Sequence, residues 1–100
     1  MREQAIQRAG NKYLEKLGAW VVKVITCTKN GCPDTLVAVP TVITEEMVGQ
    51  TVGLFYAVEY KTPKGVLRPI QEYQIKKIRE AGGTAVVARS PDDVKALFKD

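Results

Sequence analysis

Three polar residues lie where the surrounding pattern favours apolar side chains, and together they could carry out metal-assisted chemistry. Asp34 follows Pro33 at the start of an apolar segment, and Glu59 and Lys61 lie two apart in the run GLFYAVEYK. Residues two apart in a strand project from the same face, so Glu59 and Lys61 share one. Two carboxylates that lie close together repel each other unless a cation lies between them. Mg²⁺ prefers such oxygen ligands and typically takes one or two carboxylates from a protein.

A lysine beside a metal site extends this chemistry to hydrolysis. Lys61 could orient a water molecule, or help to deprotonate it, for attack on a phosphodiester while the cation stabilises the developing charge. Tyr60 lies between Glu59 and Lys61, and its backbone carbonyl could be a further ligand. We therefore expect Asp34, Glu59 and the Tyr60 carbonyl to hold Mg²⁺.

Two predicted helices add polar residues to the same cleft. Four residues of the second helix fall on one face: Leu67, Gln71, Gln74 and Ile78. Because this stripe begins and ends with apolar residues, its two glutamines indicate a face that borders a polar cleft. Glu3 lies at the edge of the inward face of the first helix and could reach the same cleft.

Basic residues are concentrated between residues 61 and 79. The chain carries fifteen Lys and Arg against eleven Asp and Glu, a net charge of +4. This stretch holds one acid, Glu72, and six basic residues: Lys61, Lys64, Arg68, Lys76, Lys77 and Arg79. Such a stretch fits a polyanion such as nucleic acid, although a solvated helix face has the same composition. We expect Lys64 and Arg68, at the entrance to the second helix, to bind phosphates, with Lys76 and Arg79 as further candidates.

The composition excludes several other classes of protein. The lack of histidine removes Ser-His-Asp triads, Cys-His nucleophile pairs and imidazole zinc sites. Cys27 and Cys32 could form a disulfide, but the sequence shows no export signal, so we expect reduced thiols without a redox role in a cytosolic protein. No apolar run approaches the roughly 20 residues of a membrane helix. A length of 100 residues is that of one domain.

Apolar periodicity and turn residues predict seven elements in the order α-β-β-β-α-β-α. The predicted helices cover residues 3–17, residues 66–81 and a final segment that begins after Ser90. The predicted strands cover residues 20–27, 35–39, 53–61 and 84–88. Residues 41–52 fit either a hairpin connection or an extended loop.

This order predicts an α/β fold with one mixed four-stranded sheet flanked by helices. Strands one to three are most simply antiparallel neighbours, whereas the crossover from strand three through the second helix to strand four requires a parallel pair. Helices would then cover both faces of the sheet. Residues 1–100 would form a single domain.

The order of these motifs resembles a known nuclease family. The chain resembles the VRR-NUC (virus-type replication-repair nuclease) family of the PD-(D/E)xK superfamily in four motifs. They are a helix with Glu3, the turn GCPD, the strand motif EYK and the segment QEYQIKKIREAGG before an apolar strand. The PD and E-x-K patterns are each weak signals, but their order together with the Gln-bearing helix is specific. The resemblance covers nearly the whole chain, roughly residues 2–98.

The resemblance implies a restriction-endonuclease-like core and a Mg²⁺- or Mn²⁺-dependent endonuclease acting on DNA. Asp34 and Glu59 match the metal ligands of the family, and Lys61 matches its water-activating base or charge stabiliser. Gln71 matches the helix glutamine that positions the site. Glu3 matches the acid of the first helix, a ligand through water.

The resemblance also implies partners and a location. Short, phage-type members of the family resemble junction-resolving enzymes that act as homodimers on branched DNA such as Holliday junctions. We therefore expect a homodimer in the cytoplasm of a bacterial or phage-infected cell, with no membrane partner and no organic cofactor. Gln74 is not part of the family pattern, so its expected contact with DNA rests on the helix face alone.

Each candidate residue also has a purely structural interpretation. Asp34 could be a turn residue after proline, and Glu59 with Lys61 could form an ion pair on an edge strand. Gln71 could be an exposed helix residue, and Glu3 could stabilise the start of its helix. The alternative functions are a catalytically inactive DNA-binding module and an assembly subunit with the nuclease fold.

Overall fold

A computed structural model describes residues 2–98, and the chain divides into two compact units. The first unit is Met1–Gln50 and the second is Thr51–Asp100. Helices and strands occur in both units, so the predicted α/β class is confirmed. Within residues 2–98, no helix is long and apolar enough to cross a membrane.

The first unit opens with a helix whose end is fixed by a glycine. Helix α1 covers Glu3–Lys16, and Gly18 follows with a φ of 80°. The Gly18 amide donates to the Glu15 carbonyl at 3.0 Å, and the Ala19 amide donates to the Leu14 carbonyl at 3.3 Å. This pair of bonds satisfies carbonyls at the helix end and requires the left-handed backbone that glycine adopts without strain. The predicted stop at Gly18 is confirmed.

A hairpin follows, and α1 packs against its first strand. Strand β1, Trp20–Lys23, pairs antiparallel with β2, Thr35–Ala38, so the predicted antiparallel pair is confirmed. The Val24 amide donates to the Asp34 carbonyl at 2.9 Å and closes the base of the loop. The ladder ends at the pair of Lys23 and Thr35 and does not reach the predicted end at residue 27.

The loop of the hairpin is closed by a disulfide. Cys27 and Cys32 are joined across five positions, with their Cα atoms 6.1 Å apart. The expectation of reduced thiols is therefore wrong for this structure. The turn between the two cysteines brings their sulfur atoms together. The lack of an export signal carries no information about this geometry.

The disulfide leads to a prediction about stability. Replacing both Cys27 and Cys32 with serine will lower the free energy of unfolding by about 2 kcal/mol, because the crosslink restricts the unfolded chain. Urea unfolding of the oxidised wild type and of the variant measures the difference. Equal midpoints, or titratable thiols in the unreduced wild type, would contradict the prediction.

Residues 39–50 connect the hairpin to the end of the first unit without a strand. They contain one short 3-10 turn, Glu45–Met47. Of the two forms expected for residues 41–52, the extended loop describes this segment, with that single turn within it.

The second unit is built on a parallel pair of strands. Strand β3, Tyr56–Tyr60, pairs with β4, Thr84–Ala88, and the helix α2, Pro69–Glu80, connects them. The predicted parallel crossover is confirmed. Gly83 allows the helix and strands to approach, because an added Cβ would lie 2.8 Å from Cγ2 of Ile78 and 3.1 Å from Cδ1 of Phe55.

Both ends of α2 and β3 lie inside their predicted ranges. Helix α2 begins at Pro69, not at residue 66, because proline suits the first helical position and keeps Arg68 extended (ψ 149°). Strand β3 begins at Tyr56, not at residue 53, because its partner β4 begins at Thr84.

The final helix follows β4 and contacts it. Helix α3, Pro91–Lys95, contacts β4 and continues as a 3-10 turn, Ala96–Phe98. The Ser90 hydroxyl accepts a hydrogen bond from the Asp93 amide at 3.3 Å, so the predicted N-cap is confirmed. The Phe98 ring lies 5.1 Å from the Tyr56 ring.

The four strands form two two-stranded sheets among the described residues, β1 with β2 and β3 with β4. The predicted antiparallel pairing of the second strand with the third is not seen there. The single four-stranded sheet and the single domain stay predictions.

Candidate functional site

Strand β3 places Glu59 and Lys61 on one face. The Thr84 amide donates to the Phe55 carbonyl, and the Lys61 amide donates to the Ala88 carbonyl, both at 3.0 Å. These two bonds at the ends of the ladder show that the odd-numbered residues of this strand direct their backbone groups toward β4. The side chains of Glu59 and Lys61 lie on the same face, and both residues are half-buried.

The same ladder settles the direction of the Tyr60 carbonyl. Since Lys61 is bonded to β4, the backbone groups of Tyr60 point to the other edge of β3. The carbonyl is therefore not used in the β3–β4 ladder. It can accept a hydrogen bond from a further strand, or it can bind a cation.

Helix α2 lies over the face that carries Glu59. Val87 is the register partner of Glu59, and Val87 lines an open groove of about 510 Å³ with Leu67 and Ile75. Glu59 therefore lies beside Val87 on the face of the strand pair that α2 covers. Within residues 2–98, neither Glu59 nor Lys61 has an ion-pair or hydrogen-bond partner for its side chain.

Gln71 belongs to the inward face of α2, and its amide oxygen has a structural partner. Gln71 and Ile75 are half-buried and Ile78 is buried, whereas Gln74 is exposed. The packed part of the stripe therefore runs through Ile75, and the expected contact of Gln74 with DNA stays a prediction. The Oε1 atom of Gln71 accepts a hydrogen bond from the Arg68 amide at 2.9 Å and satisfies a free donor at the start of the helix.

Asp34 and Glu3 are both exposed residues of the first unit. Asp34 lies at the base of the disulfide-closed loop, held there by its carbonyl bond to the Val24 amide. Glu3 is in the first turn of α1, where a negative charge stabilises the helix dipole. The meeting of these residues with Glu59 stays a prediction.

The donor set suits a divalent ion even though no dense cluster is formed. Among residues 2–98, no group of three or more His, Cys, Asp and Glu side chains could hold a metal ion. The second unit nevertheless offers two hard oxygen donors next to each other in sequence, the Glu59 carboxylate and the Tyr60 carbonyl. Mg²⁺ needs only one or two carboxylates because it keeps several of its waters. The residues present therefore fit Mg²⁺ or Mn²⁺.

The basic residues differ in how far they are already engaged. Lys64, Arg68 and Lys76 are exposed. The guanidinium of Arg79 donates from Nε and Nη2 to the Ala85 carbonyl, at 3.0 and 2.7 Å. Arg79 therefore covers the outer edge of β4, and only its remaining N–H groups are available to a phosphate.

Arg89 was not among the candidates from sequence, yet it contacts the segment that follows Lys61. Its Nη1 atom donates to the carbonyls of Thr62 and Gly65, at 2.8 and 2.6 Å. Its partners are backbone atoms distant in sequence, so no residue pattern could have indicated the contact. The sequence offers one signal for such a contact, a positively charged side chain directly after an apolar strand.

Comparison with known proteins assigns the family. The sequence model of the VRR-NUC domain matches residues 1–92. The chain matches no curated protein and no solved structure. The match spans the loop with Asp34, the strand with Glu59 and Lys61, and the helix with Gln71. The chain therefore belongs to the VRR-NUC family, whose members are nucleases.

Proposed function

We propose that this chain is a divalent-metal-dependent DNA endonuclease. The observation that carries the proposal is the pair of Glu59 and Lys61, half-buried on one face of β3 and without a side-chain partner within residues 2–98. Charged groups in such a position lower stability unless a ligand compensates them. Family membership supports phosphodiester hydrolysis as the reaction that such groups serve.

Asp34, Glu59 and the Tyr60 carbonyl are the proposed metal ligands. The bound ion would supply positive charge that stabilises the negative charge developing on the phosphate. Lys61 would orient the attacking water and, as the neutral amine, take up its proton, or as the ammonium would hold its positive charge beside the phosphate. Gln71 would fix the start of α2, and Glu3 would help to hold the ion through water.

The proposed substrate is branched DNA such as a four-way junction, bound by a homodimer. Exposed basic residues before the start of α2, Lys64 and Arg68, contact phosphates, and Gln74, Lys76 and Arg79 are further proposed contacts along the helix. Two copies would present two such surfaces, which suits a substrate with several arms.

We also propose that the two units complete one cytoplasmic nuclease domain with a four-stranded sheet. The backbone groups of Val58 and Tyr60 support this arrangement, since they point away from β4 and are oriented to accept another strand. A nitroxide distance measurement between Asp34→Cys and Glu59→Cys in the Cys27→Ser/Cys32→Ser background tests it. A distance above about 25 Å would contradict the shared site, since both residues must reach one ion.

The direct test is a cleavage assay. End-labelled four-way junction, flap, duplex and single-stranded DNA are incubated with the full chain under Mg²⁺, Mn²⁺, Ca²⁺ or excess chelator. We expect cutting only when Mg²⁺ or Mn²⁺ is present, and we expect the four-way junction to be cut fastest. Cutting in chelator would overturn the metal dependence. Salt-sensitive binding without cutting under any metal would establish the DNA-binding module instead. The absence of both binding and cutting would favour the assembly subunit.

The basic residues before the start of α2 give a prediction that does not require DNA cleavage. Replacing Lys64 and Arg68 together with alanine will reduce the slope of log K against log salt by about 2, because each phosphate contact releases about one counterion. Fluorescence anisotropy of labelled junction DNA in chelator measures the slope. The control is Lys95→Ala, which removes an exposed charge from α3, and an equal change in this variant would contradict the assignment.

A further inference from the structure

The segment after Lys61 is a tight turn with a second set of bonds around it. The Gly65 amide donates to the Thr62 carbonyl at 3.0 Å, which closes a four-residue turn with Pro63 in its second position. The turn also carries Lys64 at its tip. Such a turn on the surface usually keeps some freedom, because one hydrogen bond holds it.

Arg89 adds two charge-assisted bonds to this turn. Its Nη1 atom reaches the carbonyls at both ends of the turn, Thr62 and Gly65. Bonds from a charged donor are shorter and stronger than those between neutral groups. The short distances, 2.8 and 2.6 Å, agree with this.

The base of Arg89 is itself anchored. Arg89 directly follows β4, and its amide donates to Oδ2 of Asp93 at 2.7 Å. Lys61, which directly follows the neighbouring strand β3, donates its amide to the Ala88 carbonyl. The backbone of Lys61 is thus fixed by the strand ladder on one side and by the Arg89-bound turn on the other.

We propose that Arg89 is a positioning residue for Lys61, an inference that rests on the nuclease function proposed above. A lysine side chain has a long flexible stem, so the direction of its backbone decides which region the ammonium group samples. Without Arg89 the turn opens and the end of β3 frays. An error of about 1 Å in the position of a reacting group can lower a rate by about 10²-fold.

The structural half of the proposal is measured without any cutting. Hydrogen exchange of the Gly65 amide, followed by NMR, reports the turn bond to Thr62. We expect Arg89→Ala to raise the exchange rate at least tenfold, and Arg89→Lys to raise it less, since an ammonium can keep one carbonyl. Ser90→Ala, which weakens the α3 cap at the same corner, serves as the control. Equal exchange at Gly65 in wild type and Arg89→Ala would overturn the proposal.

The functional half uses single-turnover and steady-state cleavage. We expect Arg89→Ala to lower kcat at least tenfold, to change KM less than threefold, and to add less than a twofold loss to Lys61→Ala. A full additional loss in the Lys61→Ala background would show that Arg89 does not act through Lys61. If the wild type cuts no DNA with any metal, the proposed nuclease function fails, whereas Gly65 exchange still decides whether Arg89 holds the turn.

Discussion

Replacing Lys61 with alanine will lower the single-turnover rate of DNA cleavage by about 10²- to 10⁴-fold, the range for removal of a group that transfers a proton or stabilises charge at the reacting centre. The backbone bond from the Lys61 amide to the Ala88 carbonyl is retained in the variant, so the fold of β3 is kept. Quenched-flow or manual time courses at saturating Mg²⁺ measure the rate. Thermal unfolding of the variant provides the check on folding.

Lys61→Arg separates the two roles open to this residue. A guanidinium keeps the positive charge but does not give up its proton near neutral pH. Recovery to within tenfold of the wild-type rate would assign charge stabilisation, and a loss as large as that of alanine would assign proton transfer. Lys95→Ala is the matched control for the loss of one exposed lysine in the same unit. If Lys61→Ala cut as fast as this control, Lys61 would have no part in the reaction.

The helix ends and the crossover could be predicted because their signals in the sequence act over short distances along the chain. Gly18 ends α1 and Ser90 caps α3, and both signals act through bonds to backbone atoms only a few residues away. The observed start of α2 differs from the predicted one although the sequence contains the signal: Pro69 favours an extended residue before it, which places the start at Pro69. Apolar spacing alone could not locate that boundary.

Strand ends were less predictable, because a ladder stops where its partner stops. Residues 53–55 continue the apolar run of β3, yet the strand begins at Tyr56 opposite Thr84. The helical stripe of α2 presents a similar ambiguity. Gln74 and Ile75 both fit a period of 3.6 residues, and in the structure Ile75 is half-buried whereas Gln74 is exposed.

The chemical candidates could be named from sequence because they interrupt apolar patterns, whereas their surroundings could not. Glu59 and Lys61 are conspicuous in an apolar strand, and alternation already predicted their common face. The disulfide of Cys27 and Cys32 depends on redox conditions as well as on geometry. Arg89 binds backbone carbonyls, and such acceptors are present at every position of any sequence.

The second large effect concerns the metal. Glu59→Gln and Asp34→Asn will each raise the Mg²⁺ concentration for half-maximal cleavage by about tenfold or more, because each removes a negative charge from the proposed site for a divalent cation. Isothermal titration with Mn²⁺ in the absence of DNA gives the affinity independently of cutting. Glu72→Gln and Glu15→Gln, which neutralise exposed acids of the second and first units, are the matched controls.

The double variant decides whether the two carboxylates serve one ion. Residues that share a partner have non-additive effects, whereas distant independent residues add. We therefore expect Glu59→Gln with Asp34→Asn to weaken Mn²⁺ binding by clearly less than the product of the two single effects. Glu59→Gln alone should leave the thermal midpoint unchanged or raise it, because a half-buried charge without a side-chain partner within residues 2–98 is exchanged for a neutral amide of the same shape. Fully additive effects would place the two acids at separate sites, and a lower midpoint would make Glu59 a structural residue of β3.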